Sequence, residues 1–174
     1  SSGNIKLEFM NLNLNELVQQ VNGEFAERFE GRNLDLICIL QPEPLLIRAD
    51  SRRIWRVLEN LYVNVCKYAM PGTRVYVDAI KKDGKIQLSI KNISENPLNF
   101  QADELTERFI RGDVSRSTEG SGLGLSIAKN LTVLQHGSFN IYLDGDLFKV
   151  TITFDEAVKE KKPMPPMIVP EAVQ

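Results

Sequence analysis

Three glycines at alternate positions form the clearest chemical signal in the sequence. Residues 118–129 read Thr-Glu-Gly-Ser-Gly-Leu-Gly-Leu-Ser-Ile-Ala-Lys, and a helical spacing of apolar residues starts directly behind the last glycine. Glycine lets the backbone approach a ligand closely, and the unpaired N–H groups of a first helical turn attract an anion. The stretch therefore predicts a phosphate-binding loop, although a tight packing corner explains the glycines alone equally well.

Two familiar phosphate-binding patterns do not fit this loop. A Walker A loop would end in Gly-Lys-Ser or Gly-Lys-Thr, and this one does not. A dinucleotide fingerprint would follow a strand, whereas Gly120, Gly122 and Gly124 follow a polar, charged segment with the spacing Gly-x-Gly-x-Gly. The loop must belong to another class of anion site or to none.

Two amides and an ammonium group share one side of a predicted helix at residues 51–69. At about 100° per residue, Asn60, Asn64 and Lys67 fall in a narrow row beside the apolar stripe of this helix. Tyr68 lies between this polar row and the apolar stripe. Glutamate or lysine would be the usual choice on a solvated face, so the row indicates a bound ligand. Alternatively, the asparagines bond to neighbouring backbone and the lysine is only solvated.

Periodicity and turn signals predict the elements that must position these residues. In chain order they are a strand at 6–12, a helix from the N-cap Asn13 to about residue 30, strands at 34–40 and 45–47, the helix that follows the N-cap Asp50, a hairpin of 74–80 and 85–91, the helix behind the glycines, and a hairpin of 139–143 and 148–154. The polar residues 93–119 lead into the glycine loop and predict a lid.

The composition fits one globular domain. The chain has 174 residues, 43% of them hydrophobic and 25% charged, and its net charge of −2 argues against non-specific binding to nucleic acid. No apolar run approaches the roughly 20 residues of a membrane-spanning helix. Cys38 and Cys66 show no metal-like spacing and predict two reduced thiols. His136 is the only histidine, which excludes most triad and histidine-metal chemistry.

In the order of its parts, the sequence resembles the ATP-binding catalytic domain of sensor histidine kinases. That domain is a branch of the superfamily that includes gyrase, mismatch-repair ATPases and a heat-shock chaperone. Residues 56–68 look like the N box of the family, residues 107–113 like its F box and residues 120–125 like its second glycine box. Three motifs in the right order are far more specific than any one of them.

The resemblance implies an α+β fold, a two-layer α/β sandwich of the Bergerat type. A mixed sheet of about five strands would carry three helices on one face, with an ATP lid over the nucleotide. We expect the domain to occupy residues 4–154. Residues 1–3 read as the remnant of a cloning linker, and residues 155–174 are rich in proline and lysine and predict an unstructured tail.

One box departs from the family pattern. Where the family carries Asp-x-Gly-x-Gly after the first hairpin, this chain has Asn-Ile-Ser-Glu-Asn at residues 92–96. The family aspartate accepts a hydrogen bond from the adenine amino group. Asn92 can still accept through its side-chain oxygen, but a neutral acceptor forms a weaker bond than a charged one. The alternative function is therefore a degenerate module that binds nucleotide or docks a partner without catalytic turnover.

The positions that match the family imply a set of site residues. Asn64 would ligate Mg²⁺, and Asn60 would position a phosphate or a metal-bound water. Lys67 would neutralise phosphate charge, and Tyr68 would pack beside the nucleotide. Arg111 would reach the phosphates from the closed lid, unless it is only a solvated lid charge. The phosphate-binding backbone N–H groups would belong to Gly120, Ser121, Gly122, Leu123, Gly124 and Leu125.

The implied activity is that of a transferase in two-component signal transduction, with Asn60, Lys67 and Arg111 as its catalytic residues. It would transfer the γ-phosphoryl group of ATP to a histidine on a dimerisation domain absent from this chain, because His136 lies at the predicted end of a helix instead. The expected partners are that dimerisation domain and a response regulator. The parent protein would be anchored in the bacterial cell membrane, with this domain monomeric in the cytoplasm.

A hydrolytic ATPase of the gyrase or chaperone type is the third reading. In those branches a glutamate that activates water stands where this chain has Asn60. An amide cannot serve as a general base, so the sequence favours phosphoryl transfer over hydrolysis.

Overall fold

Seven strands and three helices make up the part of the chain that the structure, a computed structural model, describes: residues 6–98 and 123–158. The elements are β1 (Phe9–Asn13), α1 (Leu14–Gly31), β2 (Asp35–Leu40), β3 (Leu46–Asp50), α2 (Ser51–Tyr68), β4 (Arg74–Lys82), β5 (Lys85–Ile93), α3 (Leu123–Leu134), β6 (Ser138–Asp144) and β7 (Leu147–Asp155). The predicted lid therefore lies almost entirely outside the described residues.

Two hairpins build most of the main sheet. The chain reverses at Gly84 and at Gly145, whose φ angles of 74° and 59° lie in the left-handed region that suits hairpin turns. The hairpins join through antiparallel pairing of β5 with β7, and β2 adds to β4 in parallel, which gives the strand order β2-β4-β5-β7-β6. This sheet confirms the predicted mixed sheet of five strands. Strands β1 and β3 form a separate antiparallel pair.

Alternation along the strands buries one face of the sheet under the helices. The buried positions of β4, β5 and β7 are Val75, Val77, Ala79, Ile86, Leu88, Ile90, Asn92, Phe148, Val150, Ile152 and Phe154. Apart from Asn92, these side chains are apolar, so their burial supplies the hydrophobic driving force for packing helices on this face. The predicted two-layer α/β sandwich is confirmed.

An aromatic cluster packs α1 against α2 and so fixes the helix that carries the predicted site. The ring of Tyr62 stacks on Phe29 with centroids 5.7 Å apart and meets Phe25 edge-on at 5.4 Å. The Tyr62 hydroxyl donates to the side-chain oxygen of Asn22 on α1. Buried aromatic pairs of this kind add specificity to the area they bury, which favours one relative placement of the two helices.

The cap residues predicted for α1 and α2 are both confirmed. Asn13 accepts a hydrogen bond from the backbone N–H of Asn15 at 3.1 Å. Asp50 accepts from the backbone N–H groups of Arg52 and Arg53 at 3.0 and 3.1 Å. Each cap satisfies N–H groups that the first turn of a helix leaves unpaired.

The end of the fold lies slightly beyond the predicted boundary at residue 154. Strand β7 runs to Asp155, Glu156 forms an antiparallel bridge with Ile47, and the buried Ala157 donates its N–H to the carbonyl of Leu46 at 2.9 Å. These residues stay ordered because they pair with the start of β3, a contact that composition alone does not reveal. Residues 159–174 lie outside the described part of the chain.

Gly137, in the turn between α3 and β6, leaves no room for a side chain. An added Cβ would lie 2.8 Å from two ring carbons of Phe154 and 2.9 Å from Cγ2 of Thr132. Both neighbours are buried, so neither can move away freely. We expect Gly137→Ala to lower the free energy of unfolding by about 1–3 kcal/mol, measured by urea denaturation.

Gly23 offers a matched control for that substitution, because a Cβ added there would meet nothing within 4 Å. Gly23 lies within helix α1 and is exposed, so Gly23→Ala should raise stability by up to about 1 kcal/mol. If both variants were as stable as the wild type, the packing described around Gly137 would be wrong.

Candidate functional site

Helix α2 is the platform of the predicted site. Its buried stripe includes Ile54, Leu58, Leu61 and Val65, and a hydrophobic core fixes this stripe in place. Beside the stripe, Asn64 is only 8% exposed, Asn60 and Tyr68 are half-buried, and Lys67 is exposed. The gradient from buried amide to exposed ammonium matches a row at the margin of a packed face.

The side chain of Asn64 makes no hydrogen bond within the part of the chain that the structure describes. Its polar atoms are not among the fully buried, unsatisfied ones, so they keep access to solvent at the margin of the packed face. Asn64 sits on the same helix face as Asn60 one turn earlier, so its amide is available to a ligand on that side. The alternative in which this asparagine bonds to neighbouring backbone is not what the structure shows.

In Asn60, the amide nitrogen bonds to neighbouring backbone, as the alternative interpretation expects, but the amide oxygen does not. Its Nδ2 donates to the carbonyl of Arg56 at 2.9 Å, one turn earlier on α2. Its Oδ1 faces α3, because a Cβ added to Gly124 would lie 3.7 Å from this oxygen and 3.7 Å from the Asn60 carbonyl. The first turn of α3 therefore packs directly on α2 at Asn60.

This contact brings two of the predicted motifs together. Helix α3 starts at Leu123, and the buried Leu125 anchors its first turn in the core. The N–H groups of a first turn lack partners within the helix and form its positive end, which attracts anions. The side chain of Leu123 and the whole of Gly120, Ser121 and Gly122 lie outside the described residues, as does Arg111.

The opposite end of the α2 face is closed by the end of β5. Asn92 is only 2% exposed and points to the helix side of the sheet, in line with Ile86, Leu88 and Ile90. Its Oδ1 has no hydrogen-bond partner among residues 6–98 and 123–158. A buried, unsatisfied amide oxygen thus lies at the position that the altered glycine box predicts for base recognition.

Backbone hydrogen bonds hold the turn after Asn92 against the C-terminal end of α2. The N–H of Glu95 donates to the carbonyl of Tyr68 at 2.8 Å, and the N–H of Met70 donates to the carbonyl of Ile93 at 2.7 Å. These two bonds connect the end of β5 to the end of α2 in both directions. The turn is therefore placed by hydrogen bonds, although it lacks the glycines of the family pattern.

Arg32, which sequence analysis did not single out, supports the same turn. It caps the C-terminal end of α1, and its Nη2 donates to the carbonyl of Ala69 at 2.8 Å and lies 3.6 Å from Oε2 of Glu95. One guanidinium thereby joins α1, the end of α2 and the turn behind Asn92. No sequence motif surrounds Arg32, so only its tertiary contacts identify this role.

The geometry gives the face of α2 two distinct ends. The helix terminus of α3 lies at Asn60, and the turn behind Asn92 lies at Tyr68. Eight residues separate Asn60 from Tyr68, which corresponds to roughly 12 Å along a helix at ~1.5 Å per residue. An elongated ligand with an anionic group at one end and a nucleobase at the other matches this arrangement.

The described residues hold no cluster of three or more histidine, cysteine, aspartate or glutamate side chains suited to a metal ion. A hard cation bound here would take its oxygens from an amide such as Asn64 and from the phosphates of its ligand, which is a usual environment for Mg²⁺. His136 is remote from such a role. It lies in the turn after α3 with a φ of 69° and stacks on Phe9 with ring centroids 5.6 Å apart.

The two cysteines are free, as predicted. Cys38 and Cys66 are both half-buried, and burial raises the pKa of each thiol above its ordinary value. A raised pKa keeps the thiol protonated and poorly nucleophilic, so neither cysteine is suited to act as a nucleophile near neutral pH.

Residues 49–158 match the family described as "Histidine kinase-, DNA gyrase B-, and HSP90-like ATPase". The chain belongs to this family. The matched segment begins just before α2 and ends after β7, so it contains α2, β5 and α3 with the contacts described above. Members of the family bind ATP, which agrees with a site suited to an elongated ligand that has an anionic end and a nucleobase end.

Sensor histidine kinases are among the relatives of this ATPase domain. The signal transduction histidine-protein kinase BaeS of Escherichia coli K12 is 31% identical over 123 residues, which are 70% of this chain and 26% of BaeS. The sensor histidine kinase RppB of Synechocystis is 29% identical over 130 residues, 74% of this chain and 29% of RppB. The chain thus spans about a quarter of the length of these relatives.

Solved structures give the same assignment. The catalytic domain of histidine kinase ThkA superimposes with a TM-score of 0.75 at 26% identity, covering 86% of this chain and 97% of that domain. A structure of ThkA in complex with the response regulator protein TrrA matches with a TM-score of 0.69 at 25% identity, covering 89% of this chain and 44% of the kinase. This ATPase domain is therefore the catalytic domain of a sensor histidine kinase. None of its described helices combines the length and apolar composition needed to span a membrane.

Proposed function

We propose that this domain binds ATP together with Mg²⁺ and transfers the γ-phosphoryl group to a histidine on a separate dimerisation domain of its parent kinase. The observation that carries the proposal is the buried amide oxygen of Asn92, which has no hydrogen-bond partner among the described residues. On the neighbouring face of α2, the side chain of Asn64 likewise makes no hydrogen bond to a described residue. Both would gain a partner from a nucleotide with its metal ion. The proposal extends the ATPase family assignment to a specific metal and acceptor.

At the anionic end, the residues of α2 would place and neutralise the phosphates. Asn64 would offer its amide oxygen to Mg²⁺, which prefers hard oxygen ligands. The exposed ammonium group of Lys67 would reduce the charge repulsion between phosphates, and the first turn of α3 would direct its N–H groups at them. Bound ATP supplies the transferable phosphoryl group, and such transfer depends mostly on positioning and charge stabilisation.

The amide of Asn60 would orient a phosphate or a metal-bound water with its Oδ1, since its Nδ2 is already bonded to Arg56. No proton can be taken up by a neutral amide at neutral pH, so this position would not activate water for hydrolysis. The residue therefore favours transfer to an acceptor over ATP hydrolysis.

At the base end, Asn92 would accept a hydrogen bond from the adenine amino group and Tyr68 would pack beside the base. Arg32 would act as a positioning residue, because it holds the turn behind Asn92 to the end of α1 and α2. Roles for Arg111 and for Gly120, Ser121 and Gly122 at the phosphates remain predictions from the sequence.

The proposed partners are the dimerisation domain that carries the acceptor histidine and a response regulator. The structure of ThkA with TrrA supports a partner of the second kind for a domain of this fold. The parent protein would be anchored in the bacterial membrane with this domain in the cytoplasm, as the resemblance to sensor kinases implies.

Calorimetric titration of the domain tests the proposal. ADP and a non-hydrolysable ATP analogue should each bind, and we expect Mg²⁺ to raise the affinity for the analogue by about tenfold or more, which corresponds to ~1.4 kcal/mol. The comparison uses the same sample with Mg²⁺ or with EDTA. If a folded sample gave no binding heat at millimolar nucleotide, the proposal would be wrong and a non-catalytic module would replace it.

A further inference from the structure

The side chain of Asn92 differs in hydrogen-bonding capacity from the carboxylate that the family pattern places there. A carboxylate only accepts hydrogen bonds, whereas an amide presents an acceptor oxygen and a donor nitrogen side by side. We propose that Asn92 lets this domain bind 6-oxopurine nucleotides, such as GTP, as well as 6-aminopurine nucleotides, such as ATP. This inference rests on the proposed function and concerns the base specificity of the same site.

The two purine classes present opposite patterns at the edge that carries the 6-substituent. Adenine has a donor amino group at position 6, and guanine has an acceptor oxygen there. Asn92 is proposed to contact the group at position 6. There a carboxylate can accept from the amino group of adenine but sets one acceptor against another with the oxygen of guanine. An amide matches either edge after a half-turn of its terminal group.

The surroundings of Asn92 leave its amide able to make that half-turn. No described residue donates a hydrogen bond to its Oδ1, so no contact at this oxygen fixes which way the amide faces. The nearby hydroxyl of Ser94 donates to the carbonyl of Asn96 at 2.6 Å and is engaged locally. The orientation of the Asn92 amide would therefore be set by the ligand.

The backbone at this position is fixed, so discrimination must come from the side chain. Asn92 is paired with Phe148 in the register of β5 and β7, and Phe148 is itself buried. With only 2% of Asn92 exposed, little water can compensate a mismatched base edge. In such an environment a mismatch of acceptor with acceptor strongly reduces affinity, whereas a matched amide avoids the loss.

The test compares ADP, IDP and GDP, each with Mg²⁺, by calorimetric titration of the wild type and of Asn92→Asp. IDP carries the 6-oxo edge without the 2-amino group of guanine, so it probes the edge free of any steric effect at position 2. For the wild type we expect IDP to bind within about tenfold of ADP. Asn92→Asp should widen the preference for ADP over IDP by about tenfold or more, because the carboxylate has no donor for the 6-oxygen.

Asn92→Ala serves as the matched control, since it removes donor and acceptor together. It should weaken ADP and IDP in parallel and leave their ratio near that of the wild type, and circular dichroism would verify that each variant is folded. An ADP-to-IDP ratio that is the same in the wild type and in Asn92→Asp would overturn the inference, as would binding of ADP without IDP or GDP. Failure of ADP itself to bind the folded wild type would instead overturn the proposed function, and this inference with it.

Discussion

Replacing Asn64 by alanine is expected to remove most of the Mg²⁺-dependent part of nucleotide affinity while leaving the fold intact. Asn64 is 8% exposed and its side chain makes no hydrogen bond to any described residue, so its deletion leaves no partner unsatisfied in the described part of the protein. An interaction with a charged group is worth ~1.5–3 kcal/mol, or roughly 10- to 150-fold in Kd. Affinity for an ATP analogue should therefore fall by that factor in Mg²⁺ and change little in EDTA.

Glu59→Ala is the control for this prediction, because Glu59 lies on the same helix but is exposed and points away from the row. We expect its affinity to equal that of the wild type with and without Mg²⁺. Calorimetric titration of the three proteins gives the comparison, and urea denaturation shows whether stability is preserved. If Asn64→Ala kept the full effect of Mg²⁺ on affinity, the assignment of Asn64 as a metal ligand would be refuted.

The hairpins could be predicted because one face of each is buried. In β4 and β5, every second residue faces the helices, and the resulting alternation ends at the glycine turn around Gly84. The partners of β1 could not be predicted in this way. Its pairing with β3 joins Phe9 to Asp50 across the whole of α1, and no short-range pattern encodes such a contact.

The same distinction applies to the candidate site. Asn60 and Asn64 could be found from sequence because they share one helix, where helical spacing fixes their relative positions. Arg32 could not, because its bonds to Ala69 and Glu95 depend on how α1 is placed against α2. The absence of a described donor to the Asn92 side-chain oxygen is a tertiary property too, since the sequence shows an amide but not its surroundings.

Gln135 is a further residue whose role depends on tertiary contacts that the sequence does not show. It bonds to Asp50, the residue whose substitution we expect to have the largest effect on stability. Its buried Oε1 accepts the backbone N–H of Asp50 at 2.9 Å, which ties the end of α3 to the start of α2. The Asp50 carboxylate in turn accepts N–H bonds from Arg52, Arg53 and Glu8, the last at 2.8 Å. Asp50 therefore joins β1, β3 and α2 at one point.

We expect Asp50→Ala to lower the free energy of unfolding by about 2–4 kcal/mol, measured by urea denaturation at pH 7. The estimate combines the loss of an N-cap with the loss of the acceptor for the Glu8 N–H, which is partly buried. Asp50→Asn should cost less, because its oxygen can still cap the helix while its NH₂ group cannot accept from Glu8. A fall below about 0.5 kcal/mol for Asp50→Ala would show that these bonds add little beyond what water provides.

The stability difference between the wild type and Asp50→Asn is expected to depend on pH in a defined direction. Burial by itself raises the pKa of Asp50, but the N–H of Glu8, the N–H and charge of Arg53 and the N–H of Arg52 outweigh it and hold the pKa below its usual value. A lowered folded-state pKa means that the contribution is fully present above the unfolded value of about 3.9 and is lost as pH falls through the folded value. The stability difference between wild type and Asp50→Asn should therefore be constant near neutrality and shrink in acid. Urea titrations at several pH values below neutrality measure this difference, and parallel curves for the two proteins would show that the Asp50 charge does not contribute.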